Sequence, residues 1–249
     1  MVSRNRLLSA LRVLRGDPLF LAGRRIVDLT ATLGGTDMPV SPQLAQAMRV
    51  IQEPVNTHER HGRSNTRITM LTHSGTHVDC PYHYFAEGAT IDQVPLERCA
   101  GPGVRVDLRG VAQAHLPITP DLVTERVPPG AVLRDAILIF HTGWLERTGG
   151  DARYFLENPH LTPELAHWLI EQRVKAIAVD TQVEHAPAAR PPDPTDSPVH
   201  RILLGAGILI IEHLINLDQL PASRFELLAF PIKLHRADGA PSRVVAILG

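Results

Sequence analysis

The spacing of apolar and polar positions changes several times along this chain, and each change predicts an element. Ile26-Val-Asp-Leu-Thr30 reads as a short strand, and Pro39 and Pro42 mark the loop after it. Thr66 to Thr72 alternates polar and apolar, with Ile68 and Met70 on one face, so it is strand-like. Val104-Arg-Val-Asp-Leu108 predicts another strand. Ala136-Ile-Leu-Ile-Phe140 is an unbroken apolar run, the pattern of a strand covered on both faces. Thr162-Pro163-Glu164 opens a helix to about Arg173, with a capping hydroxyl, proline at the first helical position and an acid in the first turn. Lys175 to Val179 is a strand that ends at Asp180.

Five prolines between positions 186 and 198 make a stiff loop, and strand signals resume directly after it. Asp196-Ser197-Pro198 starts a short helix carrying His200, which Gly205-Ala-Gly207 ends. Ile208 to Ile211 is a buried strand closing on Glu212. The tail predicts two strands, Leu227 to Leu234 and Arg243 to Leu248, around the turn Ala237-Asp-Gly-Ala-Pro241. Strands outnumber helices. The expectation is a single α/β domain over 25–249, with a mixed, mostly antiparallel sheet and flanking helices.

Residues 1–24 form a basic extension, with Arg4, Arg6, Arg12 and Arg15 interleaved among leucines. A short helix on the body or on a neighbouring subunit, a membrane-surface contact and a disordered arm all fit that pattern. It lacks the unbroken apolar core and cleavage site of a secretory signal. No apolar run approaches the ~20 residues of a membrane span. The net charge of -1 provides no drive toward nucleic acid, and no basic patch or aromatic platform accompanies it. Cys80 and Cys99 make no disulfide framework and fit a reducing cytoplasm.

Thirteen histidines change the picture, because several cluster with acids. The segment is Leu71-Thr-His73-Ser-Gly75-Thr-His77-Val-Asp79-Cys-Pro81-Tyr-His83. Ligand-type residues fall only on odd positions, which places them on one face of a strand. From 73 to 79 an extended chain covers about 20 Å. One ion with bonds near ~2.1 Å cannot be reached from both ends. The chain must bend, and Gly75 is where a bend costs least. We therefore expect a strand ending in a bulged or looped turn that gathers three ligands around one point. Two histidines and a carboxylate suit Zn²⁺, Mn²⁺ or Fe²⁺ and leave positions open for water.

His-x-Gly-Thr-His-x-Asp-x-Pro-x-His resembles the signature of the metal-dependent cyclase-like family, which includes bacterial kynurenine formamidases and isatin hydrolases. His73, Gly75, Thr76, His77, Asp79, Pro81 and His83 match it. The resemblance extends to Leu138-Ile-Phe-His-Thr-Gly-Trp144, to His200 and Glu212, and to Phe230 through Pro241. It implies a swivelling β/β/α fold and a homo-oligomer, dimer or tetramer. It implies that His73, His77 and Asp79 hold one divalent ion, zinc or manganese. Asp79, His200 and Glu212 would hold or help hold a second, and His83 would be the general acid/base. Glu212 closes an apolar run, where a carboxylate needs a cationic partner unless it reaches solvent. His185 and His213 have less specific surroundings.

The implied activity is hydrolysis of an amide, cyclic amide, arylformamide or ester carbonyl in a small molecule by metal-activated water. The alternative is ring closure through a stabilised enolate, without net hydrolysis. Cys80 is expected to pack and not to attack. The formamidases place a tryptophan before a proline in the early loop, against the aromatic substrate. Here Thr36-Asp-Met-Pro-Val40 puts Met38 there, so Met38 is the substrate-contact candidate and N-formylkynurenine is not the expected best substrate.

Overall fold

The computed structural model describes residues 20, 21, 23–41, 45–185, 196–222 and 224–249. The basic extension expected over 1–24 lies largely outside these residues, as does most of the proline-rich loop. Its described end, β1 (Phe20–Leu21), pairs antiparallel with β2 (Arg24–Asp28).

The strands that follow are β3 (Ile51–Asn56), β4 (Asn65–Thr69), β5 (His77–Asp79), β6 (Ala100–Asp107) and β7 (Pro117–Ile118). After them come β8 (Ile137–His141), β9 (His160–Leu161), β10 (Ala176–Val179), β11 (Leu209–Glu212), β12 (Phe225–Pro231) and β13 (Gly239–Leu248). The main sheet runs β1-β2-β13-β12-β6-β8-β10-β11-β5, and β5 pairs back onto β13. That extra pairing closes a barrel-like ring from β13 around to β5. Within it β6, β8, β10 and β11 are parallel neighbours, while the β11–β5, β5–β13, β13–β12 and β12–β6 pairs are antiparallel. This is the single α/β domain with a mixed sheet that the sequence patterning predicts. Closure also pairs β5 on both sides and leaves β1 as the edge strand of the sheet.

Period-2 alternation sorts the ring's side chains into two cores. Ile137, Ile139, Ala176, Ala178, Leu209 and Ile211 point inward, with Val78 and Ala246. Leu138, Phe140, Ile177, Val179 and Ile210 point outward, under the helices. The helix Pro163–Glu171 buries Leu165, Ala166 and Leu169 there, and Thr162 caps it by accepting from Leu165 N–H at 3.2 Å. Each such leucine contributes about 1.5–3 kcal/mol by leaving water. The helix Pro198–Gly205 packs beside it and buries Val199, Leu203 and Leu204.

The strand expected over 66–72 forms only at Asn65–Thr69, and not in the main sheet. It pairs with β3, which contains Pro54 and carries no clear alternation. In this two-stranded hairpin every residue but Asn56 is exposed.

Candidate active site

Val78 points into the barrel, so its neighbours His77 and Asp79 point outward into the layer beneath the helices. Glu212 shares that face, because β11 runs antiparallel to β5 with Glu212 opposite His77. His200 reaches the same point from the first turn of the helix Pro198–Gly205.

The bend comes before the strand and not at its end. Residues 71–76 form the turn, with Gly75 at φ 64°, and β5 begins at His77. That φ favours glycine, and a Cβ there would also lie 2.9 Å from a Leu33 methyl. Thr76 fastens the turn: its hydroxyl accepts from Ala31 N–H at 2.9 Å and donates to the His213 carbonyl at 2.7 Å. Met38 is buried, and its side chain lies where a Cβ on Gly75 would meet it at 3.3 Å. Pro81 starts a 3-10 turn that carries His83 back over the cluster. His83 then stacks on His73, with centroids 4.0 Å apart.

Hydrogen bonds on one ring nitrogen settle which nitrogen each histidine presents. His77 Nδ1–H donates to the Gly75 carbonyl at 2.7 Å. Its Nε2 is the nitrogen left to face carboxylates, Asp79 Oδ1 at 3.2 Å and Glu212 Oε2 at 3.6 Å. His200 repeats the arrangement. Its Nδ1–H donates to Glu184 Oε2, and its Nε2 faces Asp79 Oδ2 at 3.4 Å and Glu212 Oε1 at 3.9 Å. His77 Nε2 and Asp79 Oδ2 are buried without a hydrogen-bond partner. Carboxylates gathered in a buried site need positive charge among them, from a protonated ring or from a metal ion that takes the proton's place. The residues present therefore fit a divalent ion.

Three overlapping ligand sets converge: His73, Asp79 and His83; His77, Glu212 and His213; Asp79, His200 and Glu212. Asp79 Oδ1 faces His73 and His77, and Oδ2 faces His200, a disposition suited to bridging. Burial would raise the Asp79 pKa, but the His77 and His73 charges outweigh it and hold the carboxyl well below its usual range. Burial raises Glu212, with Asp79 adding to the rise and His200 opposing it. Burial also opposes a charged His73, yet Asp79 and Asp238 carry it up to about 10. His83 goes the other way, pushed by burial down to about 4, so it is a neutral imidazole at neutral pH.

The sequence-predicted His73, His77, Asp79, His83, His200 and Glu212 thus meet in one cluster. Three further contributors were not foreseen. Glu184 accepts from both the His200 ring and the His200 backbone N–H, the latter at 2.9 Å, so it also serves the start of that helix. Asp238 lies 3.1 Å from His73 Nε2 and 3.7 Å from His83 Nδ1, and accepts from the Thr72 hydroxyl at 2.8 Å. Tyr154 is fully buried, and its hydroxyl meets His213 Nδ1 at 2.6 Å. Beside Asp238, Gly239 lies opposite Asp79, and a Cβ there would strike His73 at 2.8 Å. Glycine at that position is what lets the ring seat. Cys80 is buried and its thiol is pushed up to about 12, with burial the main cause, so it packs and is no nucleophile.

A cavity of about 380 Å³ lies nearby, lined by Asp37, Leu145, Asp180, Ile215 and Asn216 among others. It shares Leu145 and Ile215 with the apolar group around Trp144, Tyr154 and Phe155. None of the six candidate residues lines it.

The sequence model of the "Putative cyclase" family matches residues 27–184. A kynurenine formamidase of Salinibacter ruber (strain DSM 13855 / M31) is 31% identical over 178 residues, 72% of this chain and 77% of that one. Isatin hydrolase A from Labrenzia aggregata, solved with benzyl benzoate, is 30% identical. It superposes with a TM-score of 0.78 over 98% of both chains. A potential metal-dependent hydrolase with cyclase activity is 26% identical, with a TM-score of 0.70 over 91% of this chain and 98% of that one.

Proposed function

This chain belongs to the "Putative cyclase" family, and from that premise we propose how its residues divide the work. It is a metal-dependent hydrolase acting on non-peptide C–N bonds. The observation that carries the site assignment is the pair of histidines, His77 and His200, whose Nδ1–H bonds leave Nε2 facing Asp79 and Glu212.

His73, His77 and Asp79 would hold one ion. Asp79, His200 and Glu212 would hold or help hold a second. Zinc or manganese suits this donor set of imidazole and carboxylate. Such an ion would acidify water and polarise a carbonyl. His83 is the group that moves protons: as a neutral imidazole it takes one from water and returns it to the leaving nitrogen. Asp238, on the Nδ1 side of His83, biases that nitrogen toward N–H and leaves Nε2 for the exchange. Glu184 holds His200 in orientation from behind.

The substrate is a small molecule with an amide, cyclic amide or arylformamide bond, the chemistry that the names of the formamidase and isatin hydrolase relatives share. Met38, packed over Gly75, is the residue proposed to shape its binding. A homo-oligomer is supported by the β3–β4 hairpin, because a two-stranded ribbon exposed on nearly every residue is marginal alone in water. A cytoplasmic site of action is supported by two unpaired, buried cysteines. No helix among the described residues is long and apolar enough to cross a membrane. We keep 25–249 as the catalytic domain and 1–24 as an extension.

The test is an activity screen with N-formyl arylamines, isatin-like lactams, cyclic imides and lactones, with Zn²⁺ and Mn²⁺, in ¹⁸O-labelled water. One solvent oxygen incorporated per turnover is expected. Turnover by ring closure without label would put the enolate route in its place, and no turnover with any class would overturn the substrate reading.

A further inference from the structure

A second group of histidines lies away from the cluster described above. His115, His160 and His185 come from three separate segments. The ring centroids of His115 and His185 are 5.0 Å apart, and those of His160 and His185 are 5.3 Å apart. Among the described residues, no carboxylate lies within ion-pair distance of any of the three rings.

The backbones beneath these rings are tied together. His160 N–H donates to the Leu116 carbonyl at 3.0 Å, and His115 N–H donates to Glu157 at 2.9 Å. The buried Asn158 side chain donates to the Gln182 and Glu184 carbonyls at 3.3 and 2.7 Å, holding the strand-end segment that carries His185. His115 sits at φ 58°, a left-handed conformation that costs a residue with a side chain. The His160 ring lies beside the Asn158 backbone, and its buried Nδ1 makes no well-formed hydrogen bond. A buried ring nitrogen without a well-formed hydrogen bond is a cost that a ligand can remove.

We propose that His115, His160 and His185 form a second transition-metal site, separate from the catalytic one, for a divalent late first-row ion of the zinc, copper or nickel class. The two separations to His185 suit the task. With metal–nitrogen bonds of about 2.0–2.1 Å in a tetrahedral arrangement, two imidazole centroids stand about 5 Å apart. Two of the three pairs stand at that value, while His115 and His160 are not in ring contact and must be drawn together about His185. His115 and His185 are exposed, so their rings can turn toward a common point. Three imidazoles and no carboxylate select borderline-soft ions over magnesium or calcium. The site also adjoins the catalytic cluster through the chain, because the residue next to His185 is Glu184, whose carboxylate holds His200.

The test counts ions. Untagged full-length protein, stripped with a chelator, is dialysed against Zn²⁺ alone, and zinc per chain is measured by elemental analysis. His115→Ala/His185→Ala should bind one equivalent fewer than the parent. The His73→Ala/His77→Ala variant should retain one equivalent that is lost when the other two substitutions are added. His185→Gln, a milder change at an exposed position, should reproduce the weakening by itself. Circular dichroism confirms that each variant is folded. Equal zinc in the parent and in folded His115→Ala/His185→Ala would overturn the proposal. This readout does not depend on turnover, so it stands or falls separately from the proposed hydrolysis.

Discussion

The two histidine groups are built on opposite electrostatic plans. Around His77, imidazoles alternate with the carboxylates Asp79, Glu212, Glu184 and Asp238 within a few ångström, and most of the cluster is buried. Around His185, among the described residues, two further imidazoles stand close and no carboxylate is within ion-pair distance of the three rings, two of which belong to exposed residues. In the first group the carboxylates would offset the charge of a bound ion and set which ring nitrogens face it. Hydrogen-bonded pairing of β5 with both β11 and β13 then holds the strand-borne ligand atoms in register. In the second, affinity comes from nitrogen donors alone, and mobile rings must be ordered on binding. The contrast teaches that histidine count is a poor guide to catalysis. What marks the reactive cluster is the alternation of histidine with acid under burial, with an additional histidine left neutral beside it.

The largest effect should come from breaking that alternation at its centre. His77→Ala removes a buried donor that faces two carboxylates. Metal content and activity should fall together, the activity by at least the ~10⁴-fold that bounds the contribution of a proton-transfer group. Elemental analysis beside turnover checks this, and normal metal in the variant would remove His77 from the ligand set. His83→Ala should separate the two readouts. His83 lies half-buried, stacked on His73, with a pKa near 4 that leaves it neutral. The variant should keep most of its metal and lose about 10²- to 10⁴-fold in kcat/KM. If it loses metal as completely as His77→Ala, His83 is a ligand and the base lies elsewhere.

A smaller effect is expected one layer out. Glu184→Gln keeps an acceptor for His200 but removes the charge that, against the cost of burial, raises the His200 pKa well above normal. Carboxylates behind metal-binding histidines contribute ~10- to 100-fold to metal affinity or activity. Zinc affinity should fall by that factor in Glu184→Gln and further in Glu184→Ala, measured by competition with a chromophoric chelator. Equal affinity in all three proteins would reduce Glu184 to a helix-start contact. The same substitutions leave His115, His160 and His185 intact, so the zinc equivalent assigned to them should be unaffected.

The difference between these residues also explains what could be seen in the chain before its fold was known. His73, His77, Asp79 and His83 lie within eleven positions and obey a period of two around a glycine, so local geometry alone brings them together. His200 and Glu212 were legible only through resemblance, because their convergence depends on the β5–β11 register and on the packing of a helix. Glu184 and Asp238 were not legible. Glu184 sits at the edge of a proline-rich loop, and Asp238 sits in a turn whose Asp-Gly pair has an ordinary reading as turn chemistry. The central strands announced themselves because both their faces are buried. β3 did not, since an exposed hairpin has no apolar face to betray its period. The bend at Gly75 was foreseen, but its order was reversed: the turn precedes the strand because β5 is held in the ring from both sides, by β11 and β13.

The smallest effect should come from Met38, where packing and substrate contact make different demands. Met38 is buried over Gly75, and its sulfur lies 3.5 Å from Gly34 N–H. A tryptophan in its place would have to occupy the same space against Leu33 and the turn, and overpacking of that kind costs about 1–3 kcal/mol. Met38→Leu conserves volume and should cost less than about 1.5 kcal/mol in stability, measured by denaturant unfolding. Its effect on catalysis then isolates the surface it offers to substrate. A group that binds ground state and transition state alike changes KM and leaves kcat alone. Met38→Leu should therefore raise KM for the best substrate of the screen by a few-fold, below the ~10- to 200-fold that a whole methylene gained or lost in a pocket can contribute, at constant kcat. N-formylkynurenine should remain a poorer substrate than that best one for parent and variant alike. An unchanged KM together with a changed unfolding midpoint would make Met38 a prop for the Gly75 turn alone, and the determinant of substrate choice would then lie elsewhere in the pocket.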